Sequence, residues 1–180
     1  MVELSSPVLV LGVGGAGKSL LLRRLHALAK TGRVEPHVDA DVVPSVGVDI
    51  VNLAIDKSRS LQLKEVGGAM MPLWPMYLNG AAALAYVVDA SDAFQLAASA
   101  AAFHHLCDLP SMRGKPVLIV WNKRDAPCPL PRSETEAAFD LERARTALGV
   151  EGSVTMLDAS ALSGKNVADA MRWMRGIYGV

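Results

Sequence analysis

The chain has 180 residues, of which 51% are apolar, and its 18 Lys and Arg residues balance 18 Asp and Glu residues. This length and apolar content fit one domain over residues 1–180 with a buried core. The balanced charge gives no electrostatic reason to expect nucleic acid or an anionic membrane as the main partner. Cys107 and Cys128 lack metal-ligand spacing and do not predict a disulfide framework, so we expect a reducing, cytoplasmic compartment.

No segment predicts a membrane anchor. Residues 66–88 carry no charge over a length that could cross a bilayer, but their glycines, prolines and Asn79 predict a loop and a strand. The first residues lack a basic signal-peptide start, Val2 excludes N-myristoylation, and the last residues are no prenylation box. We therefore expect no direct lipid anchor, and any membrane contact is expected to go through a partner.

Strands and helices alternate from the start of the chain. The apolar run 7–11 predicts a strand buried on both faces, and a Gly-rich turn leads from it into a helix over residues 18–30. Residues 31–46 contain Pro, Gly and Asp without periodicity and predict a long functional loop. A polar turn at residues 57–60, between two apolar segments, predicts a β-hairpin.

The second half of the chain continues this alternation. An Ala-rich helix is expected over residues 91–106. Ser133 and Glu136 form a capping-box pattern, which predicts one helix running toward Leu148. Asn166 is expected to cap the last helix. Three further buried strands are predicted at residues 81–88, 116–121 and 154–157.

This order of elements predicts an α/β fold. Strands separated by helices form a doubly wound, six-stranded, mostly parallel sheet, here with one antiparallel edge strand and about five flanking helices. Ligands of such sheets bind at the carboxyl ends of the strands.

A phosphate-binding motif follows the first strand. Residues 12–19 read GVGGAGKS and match G-x-x-x-x-G-K-[ST] between a strand and a helix. Its glycines allow backbone N–H groups to surround phosphate oxygens, and the helix N-terminus adds positive potential. Lys18 is expected to bind the β- and γ-phosphates, and the Ser19 hydroxyl to bind Mg²⁺. The nucleotide-binding residues predicted in this segment are Gly14, Gly15, Ala16, Gly17, Lys18, Ser19 and Leu20.

A base-binding motif, Asn122-Lys123-Arg124-Asp125, follows the predicted strand 116–121. The Asp125 carboxylate can accept hydrogen bonds from N1–H and the exocyclic amine of guanine, a pair of donors that adenine does not offer. The Lys123 stem can lie over the base. A second loop is expected to offer a backbone N–H to the guanine carbonyl oxygen, and its residues are Ser160, Ala161 and Leu162.

Together with these motifs, four segments resemble the Arf and Arf-like family of small GTPases over nearly the whole chain. They are residues 44–47 (PSVG), 66–68 (VGG), 72–77 (PLWPMY) and 88–92 (VDASD). The resemblance implies the P-loop small GTPase fold in a single domain over residues 1–180. It also implies a monomeric molecular switch that binds GTP or GDP with Mg²⁺ and engages effectors in membrane or ciliary traffic. Exchange and activating proteins are expected as further partners.

The resemblance also assigns roles to two residues. Ser45 would give its hydroxyl to Mg²⁺ and its backbone N–H to the γ-phosphate. Gly68 would give its backbone N–H to the same phosphate. Because both contacts need GTP, loss of the γ-phosphate would release both loops.

Two departures from the family pattern concern chemistry. Glu65 replaces an Asp, and its extra methylene adds about 1.5 Å, so it could hold Mg²⁺ through a water or displace that water. Ala69 replaces the Gln that orients the attacking water, which predicts very slow intrinsic hydrolysis and a persistent GTP form. No catalytic residue is therefore assigned. Gly14 leaves room for an arginine finger from a partner.

Two further departures concern partners. Val48 and Lys64 stand where Arf relatives carry Phe and Trp, and only the aromatic Tyr77 remains, so the usual Arf effectors are expected to bind poorly. The family's N-terminal amphipathic helix is absent from this sequence, so membrane insertion through it is not expected. The apolar segment 70–77 fits either packing against a helix or an adaptable effector surface.

Two other functions stay open at this point. The first is a non-hydrolysing GTP-binding scaffold, which Glu65 and Ala69 would support. The second is a small P-loop kinase, against which the Asn-Lys-x-Asp motif and the lack of an Arg-rich lid argue.

Overall fold

The computed structural model describes residues 2–3, 6–35, 45, 47–56, 59–149 and 154–180. Most of the predicted loop 31–46, including Pro44 and Val46, and the turn residues Lys57 and Ser58 lie outside the described residues. The strands are β1 (Val2–Glu3), β2 (Val8–Leu11), β3 (Val48–Ala54), β4 (Arg59–Val66), β5 (Ala83–Asp89), β6 (Val117–Asn122) and β7 (Val154–Asp158).

These strands form one mixed sheet. The strand β2 pairs in parallel with β4 and β5, and the parallel order continues through β6 to β7. The strand β3 pairs antiparallel with β4, which confirms the predicted hairpin. Ser60 pairs with Ala54 on one side and with Glu3 on the other, so the short β1 extends the line of β2 beside β4. The predicted sheet, mostly parallel with one antiparallel edge strand, is confirmed.

Helices cover both faces of this sheet. They are α1 (Lys18–Thr31), α2 (Trp74–Leu78), α3 (Ala93–Cys107), α4 (Arg132–Phe139), α5 (Leu141–Leu148) and α6 (Val167–Gly176). One core cluster lies under α2 to α5 and contains Leu9 and Leu11, and the other lies under α1 and α6 and contains Val8 and Val10. Because alternate residues of β2 enter opposite clusters, this strand is buried on both faces, as its apolar run predicts.

The predicted helix from Ser133 to Leu148 is wrong in two respects. The helix α4 begins after Pro131, so Ser133 already lies inside its first turn and makes no capping hydrogen bond. The chain then leaves the helix at Asp140, which has φ 35° and whose carboxylate accepts a hydrogen bond from the Arg143 amide at the start of α5. Beside this break, Phe139 packs edge-on against Trp121, with ring centroids 4.9 Å apart.

Asn166 occupies the predicted N-cap position of α6, but its side chain does not cap the helix. The residue has φ 57°, and Nδ2 donates to the Asp158 carbonyl oxygen at 2.7 Å. The predicted inner face of this helix is correct, because Val167, Ala170, Met171 and Met174 are all buried. Within the described ranges, no helix has the length and apolar character needed to span a bilayer.

Candidate functional site

The phosphate loop is shaped by close contact with the neighbouring strand. Gly12 has φ 148°, and a Cβ at this position would lie 2.2 Å from the Val87 carbonyl oxygen. Only glycine therefore fits where the loop leaves β2 and passes β5. The loop ends at the N-terminus of α1, as the motif predicts. Its amides thus lie at the positive end of a helix dipole, where a phosphate is stabilised.

Lys18 lies beneath this loop. It is 5% exposed, and Nζ donates to the carbonyl oxygens of Gly12 at 2.9 Å and Val13 at 3.2 Å. Burial lowers the pKa of Lys18, while the nearby Glu65 carboxylate acts in the opposite direction. The ammonium group is thus held by the loop with which it is predicted to bind phosphate. Leu20, also predicted for the nucleotide site, packs its side chain against the core, so any contact would come from its main chain.

The three residues predicted to hold Mg²⁺ come together. Ser19 Oγ lies 2.8 Å from Ser45 Oγ and donates to Glu65 Oε1, also at 2.8 Å. Burial raises the pKa of Glu65, which is 2% exposed, while the Ser19 hydrogen bond and the Lys18 charge lower it. Hydroxyl and carboxylate oxygens are the ligands that Mg²⁺ prefers, so this donor set fits the ion.

The two glycines after β4 pack between the phosphate loop and Ser45. A Cβ on Gly67 would lie 2.4 Å from the Ser45 carbonyl oxygen, and one on Gly68 would lie 2.4 Å from the Gly14 nitrogen. The buried Trp74 fixes this segment, because its Nε1 donates to the Gly67 carbonyl oxygen at 3.2 Å. Side chains larger than hydrogen are therefore excluded at both glycines. Residue 69, which follows them, is an exposed alanine.

Asn122 joins the base motif to the two other loops. Its Nδ2 donates to the Ala16 carbonyl oxygen at 2.8 Å, and its Oδ1 accepts from the Ala161 amide at 2.9 Å. Because this side chain is buried and satisfied on both ends, it acts as a brace between the phosphate loop and the loop after β7.

Asp125 is exposed at the same edge of the sheet, and one oxygen of its carboxylate is held by a hydrogen bond. It accepts a hydrogen bond from the Ser160 hydroxyl, and Ser160 Oγ in turn accepts from the Ser163 amide at 2.8 Å. One carboxylate face is thus oriented by the loop while the group stays accessible. In the same loop, the Leu162 amide has no acceptor among the described residues, whereas the Ala161 amide is bound to Asn122. Leu162 is therefore the better placed of the two to donate to a base.

Lys123 has a partner that the sequence analysis missed. It has φ 62°, and Nζ lies 2.6 Å from Oδ2 of the buried Asp89. Burial alone would raise the pKa of Asp89, but hydrogen bonds from Lys123 and Ser91 outweigh it and lower that pKa. Asp89 ends β5 just as Asn122 ends β6, and the two are paired in register. The sequence gives Asp89 only as part of the segment 88–92, because its place beside the motif depends on the register of the two strands.

The predicted site residues therefore converge from separate loops at the carboxyl edge of the sheet. The sequence profile described as the ADP-ribosylation factor family matches residues 2–177. The chain belongs to the ADP-ribosylation factor family. It is an Arf-like small GTPase, a nucleotide-binding switch, and the resemblance in its sequence is confirmed.

Individual Arf-family relatives agree with this assignment. Human ADP-ribosylation factor-like protein 16 is 29% identical over 171 residues, which cover 94% of this chain and 85% of that protein. ADP-ribosylation factor-like protein 1 of Saccharomyces cerevisiae is 25% identical over 169 residues, covering 93% and 84%. The structure of the Arl6 BBS3 small GTPase from Trypanosoma brucei with bound nucleotide analogue GppNp superposes with a TM-score of 0.77 at 18% identity, over 97% of this chain and 96% of that one.

Segment 70–77 has both buried and exposed side chains, so it fits core packing and an effector surface at once. Trp74 is buried, and Met70 and Tyr77 pack against the core. Lys64 Nζ lies 5.9 Å from the centroid of the Tyr77 ring, so a cation covers the aromatic side chain that remains on this surface. The exposed apolar side chains on and beside the segment are Ile50, Met71, Leu73 and Met76.

Proposed function

We propose that this chain is a GTP/GDP-binding molecular switch whose GTP form persists because its intrinsic hydrolysis is slow. The observation that carries the proposal is Ala69. It follows Gly68, which packs on Gly14 of the phosphate loop, and so stands beside the expected γ-phosphate position. A methyl group cannot hydrogen-bond a water, and phosphoryl transfer depends on positioning and on stabilisation of charge.

Nucleotide binding is assigned to the residues that converge at the sheet edge. Lys18 and the amides of residues 14–20 bind the phosphates, and Ser19 and Ser45 hold Mg²⁺, with Glu65 acting through a water. When bound, Mg²⁺ neutralises phosphate charge. The oxygen donors around Ser19 support this assignment.

The guanine base is recognised by the loops that follow β6 and β7. Asp125 accepts from guanine N1–H and from the exocyclic amine, the Lys123 stem covers the base, and Asn122 braces the site. The Leu162 amide, or that of its neighbour Ala161, donates to the guanine carbonyl oxygen. The open face of Asp125 and its support by Ser160 favour this reading.

Switching is proposed to depend on the γ-phosphate. The backbone amides of Ser45 and Gly68 both bind it, so the segment that contains Ser45 and the segment that contains Gly68 are held together only with GTP. The contact of Gly67 with Ser45 supports this coupling. Effectors then bind through these segments in membrane or ciliary traffic. The cation at Lys64 disfavours the usual Arf effectors, which meet an aromatic side chain at this position.

Activation of hydrolysis is proposed to require a partner. Gly14 is exposed, and a Cβ there would meet no atom within 4 Å, so an arginine finger has room to enter. Such a finger is worth roughly 10³–10⁵ in rate. The alternative is a scaffold that binds GTP without hydrolysing it, which the same Ala69 supports. Turnover in the presence of an activating protein separates the two.

The test is to identify the nucleotide that co-purifies with the monomeric chain by chromatography, and then to load GTP with Mg²⁺ and follow one turnover. We expect guanine nucleotide alone and a hydrolysis rate well below that of Gln-containing GTPases, which is on the order of 10⁻⁴ s⁻¹. A rate at or above that value would overturn slow hydrolysis, and adenine nucleotide or none would overturn the switch.

A further inference from the structure

Arg24 is a buried cation that has no acidic partner in the ranges that the structure covers. It lies on α1, is 2% exposed, and takes part in none of the ion pairs there. Burying a cation costs free energy unless hydrogen bonds replace its water. The acceptors that replace water at Arg24 therefore indicate what the side chain does.

Among the residues that the structure describes, all the acceptors of Arg24 are backbone carbonyl oxygens. Nε donates to Ala161 O at 2.8 Å, and the two terminal nitrogens donate to Leu162 O and Glu35 O. A planar guanidinium can hold several carbonyls at fixed angles, which a lysine ammonium cannot do. Two of these carbonyls belong to the loop after β7, and the third belongs to the segment that leads toward Ser45. One side chain thus anchors both.

These contacts fix the direction of two amides as well. Every described peptide bond is trans, and in a trans peptide the carbonyl and the following N–H point in opposite directions. Holding the Ala161 carbonyl therefore turns the Leu162 N–H away from Arg24. Holding the Leu162 carbonyl turns the Ser163 N–H toward Ser160 Oγ, to which it donates at 2.8 Å.

The chain of contacts ends at the carboxylate proposed to read guanine. The Ser160 hydroxyl that accepts from Ser163 donates to Asp125. A separate close approach holds the loop in place, since a Cβ on Gly164 would lie 2.3 Å from Cγ1 of Val34. Arg24 thus acts on both the Leu162 amide and Asp125 through backbone groups of the loop.

We propose that Arg24 is a positioning residue for guanine recognition, which sets the loop amide and the Asp125 carboxylate through two peptide groups. This inference rests on the guanine-nucleotide function proposed above. A merely structural residue would affect the binding of all nucleotides alike, whereas loss of a positioning residue reduces discrimination between bases.

The test compares GDP with inosine diphosphate, which lacks the exocyclic amine that Asp125 is proposed to bind. Dissociation constants for both are measured with Mg²⁺ by calorimetry or competition. We expect the wild-type chain to prefer GDP by at least about tenfold, as for loss of a hydrogen bond to a charged group. The preference falls severalfold in Arg24→Met and recovers in part in Arg24→Lys, which restores a donor.

Leu25→Ala is the matched control. Leu25 is the next residue of α1 and is fully buried, so its truncation lowers thermal stability but removes none of the hydrogen bonds that Arg24 makes. We expect it to keep the wild-type preference for GDP. If Arg24→Met does not fold, Arg24→Lys carries the test, read also by shifts of the Leu162 and Ser163 amide resonances in the GDP complex.

Two results would contradict the proposal in different ways. An Arg24 variant that keeps the wild-type preference would overturn the role of Arg24 and leave the switch function standing. A wild-type chain that binds the two nucleotides equally would overturn the base site itself, and the role of Arg24 with it.

Discussion

Gly17 and Asn122 touch across the site: a Cβ on Gly17 would lie 2.3 Å from Asn122 Nδ2. Since Asn122 also binds the Ala16 carbonyl oxygen, the phosphate loop and the base motif form one packed unit. A change at this contact therefore alters both halves of the proposed nucleotide site.

Gly17→Ala is expected to weaken nucleotide binding strongly. The new methyl would collide with Asn122, and φ 89° at this residue adds a strain of about 1–2 kcal/mol for any L side chain. We expect GDP affinity to fall by at least about a hundredfold in calorimetry, equivalent to about 2.7 kcal/mol.

Gly32→Ala is the control for the backbone strain alone. Gly32 has φ 74°, but a Cβ there would meet no atom within 4 Å. This variant should lose thermal stability and bind GDP as the wild type does. Equal binding by Gly17→Ala and the wild type would show that the two loops do not form one site.

Asp125→Asn is expected to change the preferred base from guanine to xanthine. An amide at this position presents a donor to the carbonyl that xanthine carries in place of the exocyclic amine of guanine. Hydrogen bonds to charged groups contribute about 1.5–3 kcal/mol, so we expect GDP affinity to fall roughly 10- to 100-fold while that for xanthosine diphosphate rises. Competition binding with both nucleotides measures the change.

Asp158→Asn provides the comparison for this substitution. The Asp158 carboxylate binds Arg124 at 2.7 Å and Arg132 at 3.2 Å, so both of its oxygens already have partners. It should keep the preference for GDP. If Asp125→Asn also keeps that preference, the base-site assignment is wrong.

Much of the fold was predictable because its signals are local. The strand β6 is buried along its whole length and appears in the sequence as a continuous apolar run. The inner face of α6 follows from helical periodicity. The phosphate and base motifs could be placed because each follows a strand, and the carboxyl ends of parallel strands meet at one edge.

The residues that were missed depend on contacts between distant segments. The break at Asp140 lies beside the contact of Phe139 with Trp121, which a capping pattern around Ser133 cannot reveal. Asp89 binds Lys123, and Arg24 binds backbone carbonyls of the loop after β7. The sequence around Asp89 and Arg24 does not indicate these partners. Tertiary partners of single charged side chains were therefore beyond local reasoning.

Ala69→Gln is expected to increase intrinsic GTP hydrolysis. A glutamine amide at this exposed position could orient the attacking water, the function that a methyl group cannot supply. We expect the single-turnover rate to rise at least about tenfold, which corresponds to about 1.4 kcal/mol of barrier.

Ala69→Leu separates size from chemistry, because leucine is similar in bulk to glutamine but has no group that binds water. It should hydrolyse GTP as slowly as the wild type. An equal rate in all three chains would place the cause of slow hydrolysis outside residue 69.

Asp89→Asn is expected to loosen Lys123 and to remove a pH-dependent contribution to stability. The folded-state pKa of Asp89 lies below the ordinary value of 3.8, so the ionised carboxylate stabilises the fold above that pH, and the contribution is lost as pH falls through the lower folded pKa. Because the Lys123 side chain is 40% exposed, solvent screens the pair and limits its contribution at neutral pH to about 1 kcal/mol. Because the Lys123 stem is then held less firmly over the base, the variant should also release guanine nucleotide severalfold faster.

Thermal unfolding of the wild type and Asp89→Asn between pH 3 and pH 7 measures this contribution, with nucleotide dissociation followed in parallel at neutral pH. Asp108→Asn serves as the control, because the Asp108 pair with Arg143 is exposed on both sides, at 51% and 56%. The stability difference should shrink toward low pH for Asp89→Asn and be close to zero throughout for Asp108→Asn. A difference that does not change with pH would mean that the ion pair with Lys123 is not what stabilises this edge of the site.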